Sequence, residues 1–294
     1  MALLCASAVA PAPAVALHFK RDWGGTLQKG AELGQPYGLA VGPLGEVFVA
    51  DRWHCRIRSY TRDGVHLRTW GSCGSGEGQF ADPHAVAVDS REHVYVADTD
   101  NNRIQEFDRF GKFIRQFGGR GRGVGHYQDD AFAIAIRSDG DVLVPAWNEG
   151  RIDRFSADGH FKSIFAHVRT PSAIAADQNS GDVYVATGTG EEIVRYDHSG
   201  KLLNRFGSRG SGPGQFSWVF GVAVDQHGGV WASDYGNGRF EHFTPEGHFL
   251  GQWATRGHGA GQLYQPWSIG VAIRDGRVYV ADSGNNRVSY WWDF

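Results

Sequence analysis

One sentence of residues is written six times along this chain. The fullest copy runs from Gly78 to Gly118, GQFADPHAVAVDSREHVYVADTDNNRIQEFDRFGKFIRQFG, and others begin near Gly34, Gly125, Val168, Gly214 and Gly261. A unit of this length cannot bury its own apolar face, so it must stack on its neighbours. The repeat therefore overrides the two-domain expectation that 294 residues would otherwise raise.

Within a copy, the apolar stretches are short and strand-like. Ala85–Val88 and Val94–Ala97 are small or β-branched runs, and Arg103–Phe107 and Lys112–Phe117 alternate with period two. Turn residues separate them, such as Asp89–Glu92 and Asp108–Gly111, and nothing helical intervenes. Four antiparallel strands per unit, repeated radially, predict an all-β six-bladed β-propeller over residues 17–294. The innermost strand of each blade is the one rich in small residues (GLAV, AVAV, AIAI, AIAA, GVAV, SIGV), as crowding at an axis demands. The last copy has only three strands, ending in Arg287–Trp292. The segment Leu17–Gly24 has the pattern of a fourth strand, so the N-terminal strand is expected to complete blade six and remove the open edge.

Residues 1–16 are Ala/Pro-rich and uncharged. They read either as a secretory signal peptide, with small-residue sites at Ala8–Ala10 and Ala14–Ala16, or as an Ala/Pro tail without a positive n-region. Secreted or periplasmic and cytoplasmic locations both stay open. If residues 1–16 were removed, Cys55 and Cys73 would be the remaining cysteines. They fall in loops expected on one face, so either a disulfide or two free thiols fits. No stretch of about 18 apolar residues predicts a membrane-spanning helix, and a net charge of −3 exerts no overall pull on nucleic acid.

The pattern GQF…P.GVAVD…VYVAD..NNRI..F…G.F…FG resembles the NHL repeat from Leu17 to Phe294; the third and fourth copies are degenerate around Val144–Trp147 and Val185–Gly188. The resemblance implies a propeller that binds a partner on one face. Some relatives of that kind are peptidyl-hydroxyglycine amidating lyases, and others are tripartite-motif ubiquitin ligases. The lyase resemblance is strongest at Asp82-Pro83-His84, where the family holds zinc with His from three blades. Here only His84 occupies such a slot, short of the three protein ligands of a catalytic zinc, so no metal site or cofactor is expected. The RING and B-box cysteine clusters of the ligases are absent from the sequence.

Two sets of residues are candidates for function. The residue preceding each inner strand faces the channel mouth: Tyr37, His84, Phe132, Ser172, Phe220 and Trp267. Four aromatics and a His there make either a ligand platform or a channel plug. The second set comprises loop residues Trp147 and Thr187, with Arg120 and Arg122 of a Gly-rich linker; Asp129 and Asp130 add carboxylates near the mouth. Repeated pairs Asp51/Arg56, Asp98/Arg103, Asp234/Arg239 and Asp282/Arg287 read as structural ion pairs, because catalysis rarely needs four copies. The pair fails at Ala146/Arg151 and Thr187/Glu192, which predicts unconstrained loops in blades three and four. Arg120, Arg122 and Tyr127 form one basic-aromatic spot, but the face as a whole is near neutral, which disfavours RNA. The expectation is a monomeric binding or scaffold module for a protein or peptide partner. The competing readings are a propeller lyase or hydrolase using His84 and nearby carboxylates, and the substrate-recognition propeller of a tripartite-motif ubiquitin-ligase-like protein.

Overall fold

The computed structural model describes residues 16–25, 32–128, 131–189, 191–272 and 275–293. Six four-stranded antiparallel sheets form the blades. Blade one runs from Pro36 to Trp70, blade two from Pro83 to Gly118, blade three from Ala135 to His167, and blade four from Pro171 to Phe206. Blade five spans Val219–Trp253. Blade six takes three strands between Pro266 and Trp292 and its fourth from His18–Trp23. That strand pairs antiparallel with Arg287–Trp292, from His18 opposite Trp292 to Trp23 opposite Val288. Residues 1–15 lie outside the described residues.

The inner strands approach so closely that side chains are excluded. A Cβ on Gly38 would stand 2.6 Å from the Cα of Ala85 in the next blade. The second strands, such as Val47–Asp51 and Val94–Asp98, are buried throughout and carry the inter-blade core. In blade three the expected inner strand is reduced to Ala135–Ile136. The residues ahead of it face the stretch around Pro145, which has no N–H to offer the ladder.

The repeated Asp–Arg pairs staple each blade to the linker that enters it. Asp51, Asp98, Asp234 and Asp282 are fully buried. Their Oδ1 atoms accept the backbone N–H of Gly34, Ala81, Ser217 and Tyr264 at 2.7–2.9 Å. Their Oδ2 atoms face the Nε of Arg56, Arg103, Arg239 and Arg287 at 2.7–3.3 Å. Arg103, Arg239 and Arg287 also donate to linker carbonyls, Arg103 to those of Gly76 and Gln79. Burial pushes the carboxyls of Asp98, Asp234 and Asp282 up against the pull of these donors.

Blade three corrects one expectation. Its loop is not free, because Arg151 turns to Asp153, two residues along its own strand, at 2.9 Å, and still donates to the carbonyls of Gly123 and His126. The carboxylate has moved, and the clamp has survived. Among the described residues only blade four lacks it: Thr187 has no carboxylate, and Glu192 pairs outward with Arg205 at 2.6 Å.

Candidate functional site

The mouth is built where the linkers meet the inner strands. In each described case the residue two before the mouth residue has a left-handed backbone: Gln35 (φ 51), Asp82 (φ 58), Thr170 (φ 46), Trp218 (φ 71) and Gln265 (φ 54). Non-glycine residues avoid this region, so a recurring kink there marks a geometry the fold enforces. It sets the aromatic rings across the channel. Trp267 lies between Tyr37 and Phe220 in a parallel stack, with centroids 3.9 and 4.3 Å apart and planes within 3°. His84, Phe132, Phe220 and Trp267 share with the inner strands a channel cavity of about 80 Å³.

A polar cluster holds the blade-one side of this stack. The Arg52 guanidinium lies 4.6 Å from the Tyr37 ring centroid, donates to Gln35 Oε1 at 2.6 Å and grips the Asp82 carboxylate. Asp82 Oδ2 also lies 2.9 Å from His84 Nε2. Burial pushes the Asp82 carboxyl up, but His84 and Arg52 together outweigh it and hold it down to about 2. His84 is buried, edge-on to Tyr37 at 4.8 Å, and its Nδ1 meets no protein partner among the described residues.

The other mouth residues differ in what they present. Phe132 and Phe220 are half-buried; Phe132 touches His84 and, edge-on at 5.9 Å, Trp147. Ser172 is buried, and its Oγ donates to the carbonyls of Val219 and Ala186, so it ties blade four to blade five. Trp147 and Thr187 line an open cleft of about 720 Å³ at the seam of blades three and four. Asp129 and Asp130 lie outside the described residues. Arg120 is exposed and Arg122 donates to Gln128 at 3.0 Å, but the Tyr127 ring is fully buried. The basic-aromatic spot therefore has no ring to stack on: the linker folds back through the Arg120–Tyr127 bridge and drives the ring inward.

Reading single copies missed Arg52, Gln35 and Trp218. Arg52 occupies the position after the repeated Asp, where the other copies hold Thr99, Trp147, Gly188, Tyr235 and Ser283. Comparing that column would have singled it out. On the same loop Trp53 is 62% exposed, and Trp218 is 49% exposed at the rim. The Cys55–Cys73 disulfide closes that loop onto the linker leaving blade one.

Closed ring, stapled loops and an aromatic mouth together define a six-bladed repeat propeller. Residues 33–60, 80–107 and 263–289 match the NHL repeat family. Three of the six blades, one, two and six, thus carry NHL repeats within a six-bladed propeller. It is similar to human NHL repeat-containing protein 3, at 31% identity over 80 residues, 26% of this chain and 23% of that protein. It also matches the Caenorhabditis elegans RING finger protein nhl-1, at 31% over 162 residues, 49% of this chain and 16% of that one. The matches thus span no more than about a quarter of these curated relatives. Among solved structures, a streptogramin B lyase superposes with TM-score 0.63 at 14% identity, covering 95% of this chain and 98% of its own. A virginiamycin B lyase from Staphylococcus aureus gives 0.63 at 16%, covering 94% of this chain and 100% of its own. At such identity the likeness is one of fold.

Proposed function

We propose that this propeller is a binding module that presents its mouth face to a protein or peptide partner. The observation that carries the reading is the rigid Tyr37–Trp267–Phe220 stack, backed by Arg52 and Asp82, with Trp53 and Trp218 exposed on the same face. Pre-ordered aromatics lose little entropy on binding, and Trp is enriched among residues that dominate interface energy. A channel cavity of about 80 Å³ is small for engulfing a small molecule, which favours surface contact. Alanine at Trp53 or Trp267 should weaken partner binding by about 2 kcal/mol or more while the protein stays folded. Unchanged affinity in both variants would refute the reading.

A second reading, catalysis at the mouth, is favoured by one observation. His84 is braced by Asp82 on one ring nitrogen and has no protein partner among the described residues on the other. Incubation with virginiamycin B and chromatography of the products tests it. Turnover by the wild type, lost in His84→Ala, would support it, and an unaltered substrate would dismiss it.

A further inference from the structure

The seam between blades three and four lacks the lid that covers other seams. Linkers 71–82, 207–218 and 254–265 each hold twelve residues between strands. They fold back on themselves through short parallel bridges, as where Ser72–Cys73 meets Gln79–Phe80 and Thr255–Arg256 meets Gln262–Leu263, and bury Phe80, Phe216 and Leu263. Between blades three and four the outer strand ends at His167 and the next inner strand starts at Pro171, leaving only residues 168–170. The cleft of about 720 Å³ opens over this short linker, with Trp147, Arg169, Thr187 and Thr189 among its walls.

The same seam has lost its internal carboxylate. In four blades a buried Asp accepts the N–H of the residue just before the left-handed position. In blade four that N–H belongs to Arg169, and the Asp is replaced by Thr187. The Arg169 N–H and its exposed guanidinium meet no acceptor among the described residues. The cleft's own carboxylates are otherwise engaged: Glu192 pairs with Arg205, and Glu149 sits in the field of Arg151. His167 adds a second donor on the cleft wall.

We infer that this cleft takes an extended acidic segment of a partner protein, whose carboxylate supplies the acceptor that blade four lacks. The segment lies where a lid would lie, with its carboxylate against the Arg169 N–H and guanidinium and its apolar side chains on Trp147. A charge-assisted hydrogen bond of this kind is both stronger and more directional than a neutral one. One uncompensated arginine suits a peptide carboxylate; a nucleic acid would call for a basic stripe.

The inference rests on the binding-module reading, and one assay set separates the two. Fluorescence anisotropy on the full chain would use a labelled octapeptide alternating glutamate and valine, its lysine–valine counterpart and a single-stranded RNA decamer. The glutamate peptide should bind, more weakly as salt rises, and Arg169→Glu should weaken it by about tenfold or more. Grafting a copy of residues 208–216 after Val168 should close the cleft and abolish peptide binding without lowering the melting temperature. Leu67→Ala, an exposed change on the outer strand of blade one, should leave peptide binding intact. Equal binding of the lysine peptide, tighter binding of the RNA, or full affinity in Arg169→Glu would overturn the inference. So would no peptide binding at all. Partner binding that depends on Trp267 but not on Arg169 would overturn it while leaving the binding-module reading in place.

Discussion

Trp23→Ala should destabilise the ring more than any exposed substitution on an outer strand. Trp23 is 2% exposed, and its ring lies 6.0, 5.7 and 6.2 Å from those of Tyr60, Tyr279 and Tyr290. Two of these rings belong to blade six and one to blade one, so the side chain spans the closing seam. It also covers Gly64 (φ +82), where a Cβ would stand 2.6 Å from the indole. Trp70 covers Gly111, Phe117 covers Gly159 and Phe206 covers Gly247 in the same manner. The closure thus repeats the ordinary inter-blade contact with a strand from the other end of the chain. Removing a buried tryptophan of this kind costs about 3–5 kcal/mol. At about 2–4 °C per kcal/mol for a domain of this size, the melting temperature should fall by roughly 6–20 °C. Scanning calorimetry measures it, with Leu202→Ala as the control, since Leu202 is 45% exposed on an outer strand. That control should stay within about 0.5 kcal/mol. A Trp23→Ala shift no larger than the control's would refute the closing role.

Three further outcomes are expected. Thiol titration of denatured, unreduced protein should find Cys55 and Cys73 unreactive, and Cys55→Ser with Cys73→Ser should cost about 3 kcal/mol, as for a loop of comparable length. Glu241 is fully buried, and burial with the nearby Asp234 charge pushes its carboxyl up to about 8 despite Arg239. Because the folded state prefers the protonated acid, stability should fall as pH rises from the ordinary glutamate value of 4.5 through about 8. Glu241→Gln should flatten that slope in urea titrations, since Gln105 already fills the same register in blade two and accepts the Gly78 N–H. Asp82 behaves oppositely: its lowered pKa contributes stability above the usual value of 3.8 that is lost as pH falls through about 2, so Asp82→Asn should blunt this part of the acid transition.

Much of the ring was legible because its rules are local. Small inner-strand residues, alternation in the third and fourth strands and a missing last strand led to blade six closing on His18–Trp23. The Asp–Arg column was legible because four copies share one spacing. Arg151 was harder, since its carboxylate had moved to Asp153 on the same strand, and a fixed-spacing search cannot see a partner that slides two residues. Tyr127 looked like a stacking ring because a Gly-rich linker reads as exposed, whereas the linker folds back and buries it. The Cys55–Cys73 pair stayed open in sequence because loop direction, which decides whether two thiols meet, is a tertiary property. Arg52 and Tyr37 share blade one, but the carboxylate that holds Arg52 in place is Asp82 at the entry to blade two, so no single repeat encodes the cluster.

Whether the aromatic mouth face binds a partner is decided by comparative affinity capture. Wild type, Trp53→Ala and Trp267→Ala, each first shown to be folded by calorimetry, would be immobilised and exposed to extract from the source cells. Bound proteins would be quantified by mass spectrometry. At least one protein should be enriched on the wild type and depleted about thirtyfold on both variants, the loss expected when an aromatic anchor worth about 2 kcal/mol is removed. The same proteins at the same abundance on all three surfaces would contradict it.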